Sequence, residues 1–212
     1  MEEMIFVSDF DGTITEKDSL YYFFKEYAVP EWKIVEEQWV KGEISSKECL
    51  IREFELVPNL CEKLIDEFVS SLNVDRYFKQ FNEKRIEKGY DFVIVSDGLD
   101  YFINKNLKYN NIKNIKVITN HAEFINDKFT LEFPNSHTSC KNDAGTCKCQ
   151  VIKDLRKNYK KICYIGDGVS DFCAADKADI LYAKKSLLKH CKENQIPCIE
   201  YENYGDIIKI FD

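Results

Sequence analysis

The sequence predicts an α/β fold, a mostly parallel sheet with an all-helical segment inserted near its start. The apolar runs Met4 to Val7, Phe92 to Val95 and Ile162 to Ile165 have the composition of strands buried on both faces. Stretches with helical spacing lie between them, and strands that alternate with helices pair in parallel through crossovers. Each run ends in a short turn rich in acids, hydroxyls and glycine: DFDGT, SDG and GDGVSD. A chain of 212 residues is long enough for one such core and an insertion.

The first strand runs into Asp9 and Asp11, which strand alternation puts on one face. Gly12 then lets the chain turn without a side-chain clash. From 18 to 72 no convincing strand occurs. Leu20, Phe23, Phe24, Tyr27 and Ala28 repeat at helical spacing, as do Leu60, Leu64, Ile65, Phe68 and Leu72. Ser45 with Glu48, and Asn59 with Glu62, have the pattern of residues that cap helix starts. Residues 16–75 are therefore expected to form a helical cap, and residues 1–15 with 76–212 the core. In the second part a helix carrying Tyr77, Phe78 and Phe81 stops at Gly89 ahead of the strand 92–95, and another helix follows. Val117 to Thr119 reads as a strand, and the apolar runs around Asn126-Asp127, within Glu123 to Phe133, read as a hairpin. A helix with Val151, Ile152, Leu155 and Tyr159 precedes the strand 162–165, and strands at 180–183 and 197–199 close the series. PNSHTSCKNDAGTCKC, residues 134–149, is a loop.

Composition narrows the function. Hydrophobic residues make up 44% and charged residues 32%, the balance of a soluble globular protein. A net charge of -7 argues against nucleic-acid or membrane-surface binding, which usually needs a basic face. The opening MEEMIFVSDF places acids before a short apolar run, unlike a signal peptide or a spanning helix, so a cytoplasmic location is expected. The nine cysteines are an odd, scattered set, poor material for a disulfide framework.

In open α/β sheets ligands bind beyond the carboxyl ends of the strands, so the three turns are expected to share one crevice. It would hold Asp9, Asp11, Ser96, Asp97, Gly98, Asp167 and Asp171, with Gly12 and Thr13 shaping the first turn and Lys148 at the start of a helix. So many carboxylates repel one another unless a cation sits among them. Hard oxygen ligands with few histidines point to magnesium, held by Asp9, Asp11 and Asp167, and to a small phosphoester as substrate. Asp9 would attack phosphorus and form an aspartyl-phosphate. Asp11 would protonate the leaving alkoxide and then take a proton from water. Ser96, Asp97, Gly98 and Lys148 would contact the substrate, and Asp171 would ligate through water or orient Lys148. The same covalent chemistry serves a phosphotransferase, although Asp11 favours water as the acceptor.

DFDGT, a serine-containing turn, a lysine before a helix and GDGVSD, in that order, resemble the four motifs of the haloacid dehalogenase superfamily. The resemblance covers essentially the whole chain and implies a Rossmann-like core, an aspartate nucleophile, magnesium and a helical cap over residues 16–75. Within that superfamily TITEKDSL, VPEW, NHAEF and PNSHTSCKNDAGTCK resemble the methionine-salvage phosphatases that act on 2-hydroxy-3-keto-5-methylthiopentenyl-1-phosphate. One departure stands out: those enzymes and the phosphoserine phosphatases usually place glycine after the second-motif serine, where this chain has Asp97. A Ser-Asp pair looks more like the phosphoethanolamine and phosphocholine phosphatases, and a carboxylate there would favour a cationic substrate tail. The other reading of Asp97 is a cap on the following helix.

The remaining polar clusters are expected to be structural. His137, Cys140, Cys147 and Cys149 supply one imidazole and three thiols, enough for zinc, but at irregular spacing; free thiols in an ordered loop are expected. His121 is expected to be structural or to line the pocket. Among Tyr21, Tyr22, Phe23, Phe24, Trp32 and Trp39, most would form a small helical core and one or two would reach the substrate. Glu36-Glu37 and Glu53 to Glu55 are expected on solvated helix faces.

Overall fold

Strand β1 (Glu2–Ser8) is followed by four helices, α1 (Ser19–Tyr27), α2 (Trp32–Val40), α3 (Ser46–Glu55) and α4 (Glu62–Ser71). Then come α5 (Phe78–Glu87), β2 (Asp91–Leu99), α6 (Asp100–Tyr109), β3 (Lys116–Ile125) and β4 (Lys128–Glu132). The chain continues through α7 (Lys148–Leu155), β5 (Tyr159–Gly166), α8 (Phe172–Ala175), β6 (Ile180–Ala183), α9 (Lys185–Glu193), β7 (Ile199–Glu200) and α10 (Tyr204–Ile208). These elements come from a computed structural model that describes residues 2–140 and 143–211. Met1, Lys141, Asn142 and Asp212, all within the stretches assigned to the core, lie outside the described residues.

The strands form one seven-stranded sheet in the order β4-β3-β2-β1-β5-β6-β7, parallel except for the β3–β4 pair. The hairpin turn sits at Asn126 and Asp127, with φ of 49° and 62°, the left-handed pair that a tight two-residue turn needs. β3 is longer than expected, because the run at Val117 continues without a break into the hairpin strand.

β1 lies in the middle because both of its faces are apolar. Phe6 packs on one side with Phe10, Phe78, Phe81 and Tyr204, and Ile5 and Val7 pack on the other with Val93, Tyr164 and Leu187. Its register matters for the site. Ser8 pairs with Ile94 of β2 and Ile165 of β5, so Asp9, Ser96 and Asp167 follow one shared level of the sheet by one or two residues, and the Asp9 amide donates to the Ile165 carbonyl at 2.9 Å.

The helical segment leaves and re-enters the sheet region side by side: Thr15 bridges Val74, the Asp75 amide donates to the Ile14 carbonyl, and the Glu16 amide to that of Asn73. Helices α1 to α4 bury Phe23, Phe24, Trp32, Phe54, Ile65 and Phe68 in one cluster, which also takes in Leu99 and Phe102 from β2 and α6 and, at its edge, the hairpin rings Phe124 and Phe129. Ser45 caps α3 and accepts from the Glu48 amide, as its spacing predicts. Asn59 does not cap α4. It adopts φ of 55° two residues before the actual N-cap, Cys61, and serves the turn instead.

Phe23 touches the rings of Phe54, Phe68 and Phe102 within one fully buried contact set. Phe23→Ala is expected to lower stability by about 3–5 kcal/mol through the cavity it leaves, measured as a shift in the denaturant midpoint at unchanged slope.

Candidate active site

The ends of β1, β2 and β5 open onto a cavity of about 310 Å³ between the sheet and the helical segment. Asp9, Asp11, Gly12, Ser96, Asp97, Gly98 and Asp167 line it together. Lys148, at the first turn of α7, reaches in beneath them. A larger groove, lined by Thr13, Asp75, Arg76 and Lys184, opens on the other side of Lys185 and meets none of Asp9, Asp11 or Asp167.

Lys148 is the hub. It is 2% exposed, and its Nζ lies 2.8 Å from Asp9 Oδ1, 2.6 Å from Asp171 Oδ1 and 2.9 Å from the Ser170 hydroxyl. Burial alone disfavours the ammonium, but Asp171 and Asp9 outweigh it and raise the lysine above its usual value. Asp171 is itself fully fixed: the Tyr164 hydroxyl donates to Oδ1, and the Asp167 and Gly168 amides donate to Oδ2. A methyl group at Gly166 would stand 2.5 Å from Asp171 Oδ2, so glycine there is a condition of this arrangement. Asp171 is thus the group that orients Lys148. Burial pushes Asp9 well upward, Lys148 opposes the rise, and Asp171 and Asp167 add to it.

Asp167 accepts from the Thr13 hydroxyl and from Lys185, both at 2.9 Å, and Lys185 also donates to the Gly12 carbonyl at 3.0 Å. Gly12 has φ of 72°, and a side chain there would meet Asp167 Oδ2 at 2.5 Å. Asp9, Asp167 and Asp171 each offer a carboxylate oxygen within 4.8 Å of the others, an all-oxygen set that suits magnesium. The carboxylate of Asp11, expected among the metal ligands, is not in that cluster, and Asp171 stands there instead.

Asp11 faces the helices. Its Oδ1 accepts from the amide and the hydroxyl of Ser19, at the start of α1, and Oδ2 lies against Gly98, where a methyl group would be 2.8 Å away. Burial, aided by the neighbouring Asp18 and opposed by Ser19, pushes Asp11 up to about 7. A carboxyl of that kind carries or accepts a proton near neutrality. The Ser96 hydroxyl accepts from the Gly98 amide at 3.0 Å, which leaves its proton available to a ligand.

Asp97 neither caps α6 nor stands free. Leu99 is the N-cap, without a side-chain bond. The Asp97 carboxylate accepts from the Ser46 hydroxyl of α3 at 2.6 Å, the Thr146 amide at 2.9 Å and Asn120 at 3.2 Å, while still lining the cavity.

Several neighbours escaped the sequence reading. Lys185 follows β6 and holds φ of 48°, unusual for a lysine, in order to reach Asp167. Extending the strand-end rule to the fourth run would have found it. Glu36 and Glu53, read as solvated, line the cavity, and Glu53 is 4% exposed. Its spacing from Cys49 and Leu50 puts it on the buried face of α3. Of the aromatic residues, Tyr21, Phe24 and Trp39 reach the cavity. His121 lies outside it and pairs with Asp100 at 2.6 Å. His137 bonds Ser139, and among the described residues His137, Cys140, Cys147 and Cys149 form no common ligand cluster, although the Cys147 and Cys149 sulfurs lie 3.5 Å apart.

A family model of haloacid dehalogenase-like hydrolases matches residues 6–176. The chain is 31% identical over 214 residues to a 2-hydroxy-3-keto-5-methylthiopentenyl-1-phosphate phosphatase of Bacillus pumilus, covering 100% of this chain and 92% of the relative. It is 30% identical over 213 residues to the enzyme of the same name from Brevibacillus brevis, covering 99% and 95%. In fold it is similar to a substrate-bound phosphoserine phosphatase, with a TM-score of 0.73 at 18% identity over 100% of this chain and 99% of that one. Among the described residues no helix is long and apolar enough to cross a membrane. The family match spans most of the sequence and includes the acid-bearing ends of β1, β2 and β5, and it identifies the chain as a member of the haloacid dehalogenase-like hydrolase family and a phosphatase.

Proposed function

We propose that the chain hydrolyses a small phosphomonoester through a covalent phosphate on Asp9, with the helical segment 16–75 closing over a core formed by 1–15 and 76–212. The supporting observation is the pairing of two differently placed acids in one cavity: Asp9 against the Lys148 ammonium at 2.8 Å, and Asp11 turned to Ser19 with its carboxyl raised to about 7. Asp9 and Asp167 would hold magnesium, which when bound offsets the charge of the carboxylates and of the ester. Asp9 Oδ attacks phosphorus and the ester P–O bond breaks. The leaving oxygen takes the proton held on Asp11. Water then attacks the acyl phosphate as Asp11 takes back a proton, and inorganic phosphate leaves with Asp9 restored. Lys148, held by Asp171, and the Ser96 hydroxyl neutralise charge on the phosphoryl oxygens. Ser19 and Ser46 tie α1 and α3 to Asp11 and Asp97, so closure and the position of the catalytic acid are linked.

For the leaving group, the names of the relatives support 2-hydroxy-3-keto-5-methylthiopentenyl-1-phosphate, a step in methionine salvage. The charge of the cavity favours a second reading, an amine-bearing phosphoester. Asp18, Glu36, Glu53 and Asp97 all line it, and among the described residues Lys185 is the only basic side chain that does.

Release of phosphate from an aryl phosphate tests the chemistry. Asp9→Asn and removal of magnesium by chelation are each expected to abolish it, with recovery on adding magnesium only for the wild type; Lys148→Met is expected to lower kcat by about 10²-fold or more. Turnover by Asp9→Asn at the wild-type rate would refute the covalent route.

The crowding of acids makes a separate prediction about stability. Burial, reinforced by Glu36, pushes Glu53 up to about 9 from 4.5, so between those values the folded protein keeps a proton that the unfolded chain releases. Stability contributed by this group is therefore lost as pH rises through that window. Glu53→Gln is expected to melt higher than wild type at pH 8 and alongside it near pH 4.5, by thermal unfolding without metal.

A further inference from the structure

The far wall of the cavity, on α2 and α3, carries a group of polar atoms that the hydrolytic steps do not use. Glu36, Cys49 and Glu53 each present one ligand atom within 4.8 Å of the others. Glu53 is 4% exposed, yet its Oε1 has no hydrogen-bond partner, a costly state for a buried carboxyl oxygen unless something outside the chain supplies a donor. Both glutamates line the cavity that holds Asp9 and Asp167, and among the described residues the lining contains no arginine. Its one lysine, Lys185, is engaged at the phosphate end with Asp167.

We propose that Glu36 and Glu53 form a leaving-group subsite that takes a protonated primary amine. This rests on the phosphatase reading of the cavity and narrows its substrate to phosphoesters of amino alcohols. The Glu36 and Glu53 oxygens lie within 4.8 Å of each other, close enough for one ammonium nitrogen to donate to both. An ammonium has three donors, enough to satisfy the unpartnered Glu53 oxygen and reach Glu36. Tyr21 and Trp39 line the same cavity, and aromatic faces suit a desolvated cation.

The charge balance selects the same ligand. Burial raises both glutamates, and the free pair keeps a proton on Glu53. An incoming ammonium displaces that proton to solvent, so this wall carries the same net charge with the ligand bound as without it. Among the described residues, the charged groups that a leaving-group carboxylate would meet at this wall are acids. The subsite thus separates an amino alcohol phosphate from an amino acid phosphate as well as from an alkyl one.

The experiment compares kcat/KM of the magnesium-loaded enzyme for O-phosphoethanolamine, propyl phosphate, which has a methyl group in place of the ammonium, and phosphoserine. Wild type is expected to prefer phosphoethanolamine over propyl phosphate by about tenfold or more, with phosphoserine below phosphoethanolamine. Glu53→Gln and Glu36→Gln are each expected to cut the ratio of phosphoethanolamine to propyl phosphate by about tenfold. The ratio is read rather than the rate, so a general loss of activity does not mimic the effect. Calorimetric binding of the same two esters to Asp9→Asn gives the ratio without turnover. A wild-type ratio near one, or a ratio that both variants leave unchanged, overturns the subsite. Failure to hydrolyse any ester, aryl phosphate included, overturns the phosphatase chemistry instead, and the binding ratio then decides the subsite on its own.

Discussion

The site depends on one buried ammonium. Lys148 stands between Asp9, at the end of β1, and Asp171, just beyond β5, and none of the three side chains is more than marginally exposed. Without that cation two carboxylates would face each other in a medium where charges interact far more strongly than in water. Such a triad is weak evidence for stability, since desolvation consumes most of its attraction. What it supplies is position. Asp171 accepts from two backbone amides and a tyrosine, so it cannot follow Lys148 if the lysine moves, and the lysine in turn fixes Asp9.

Around that anchor, the sheet determines which residues can meet. β1, β2 and β5 are neighbours in parallel register, and residues 9, 96 and 167 follow the paired level of Ser8, Ile94 and Ile165 by one or two residues, so strand pairing rather than any long-range contact of their own brings them together. The glycines remove the obstacles: at positions 12, 98 and 166 any side chain would collide with Asp167, Asp11 or Asp171. The tyrosine cluster beneath supplies the last restraint, with the Tyr204 hydroxyl 2.6 Å from the Ser8 hydroxyl, immediately before Asp9.

What the sequence disclosed follows from this division. The three strand ends, the hairpin at Asn126-Asp127 and the cap at Ser45 are local patterns, and all three are present in the structure. The Asp9, Asp11, Ser96 and Asp167 cluster was legible because strand alternation and the strand-end rule need only neighbouring residues. Asp97 was not, because its partners come from positions 46, 120 and 146, which no spacing connects. The partner of the Asp11 carboxylate was hidden for a similar reason: Ser19 lies only eight residues ahead, but it reaches Asp11 only through the turn that starts α1. Glu53 was misread in a more instructive way. Its charge was taken to set its exposure, whereas its place on the Cys49–Leu50–Phe54 face of α3 buries it.

That misreading bears on how the cavity treats a substrate. Its two ends ask for opposite charges. At one, Lys148 and Lys185 are already engaged with carboxylates, and a metal joining Asp9 and Asp167 would meet the deficit of positive charge. At the other, carboxyl groups face the same space with one buried oxygen unpaired. A ligand with a phosphate at one end and a cation at the other satisfies both deficits in a single orientation and is repelled in the reverse one. Under the proposed mechanism, in a cavity of about 310 Å³, that orientation would bring the phosphorus to Asp9 and the ester oxygen towards Asp11, so the field that selects the leaving group would also align the reaction.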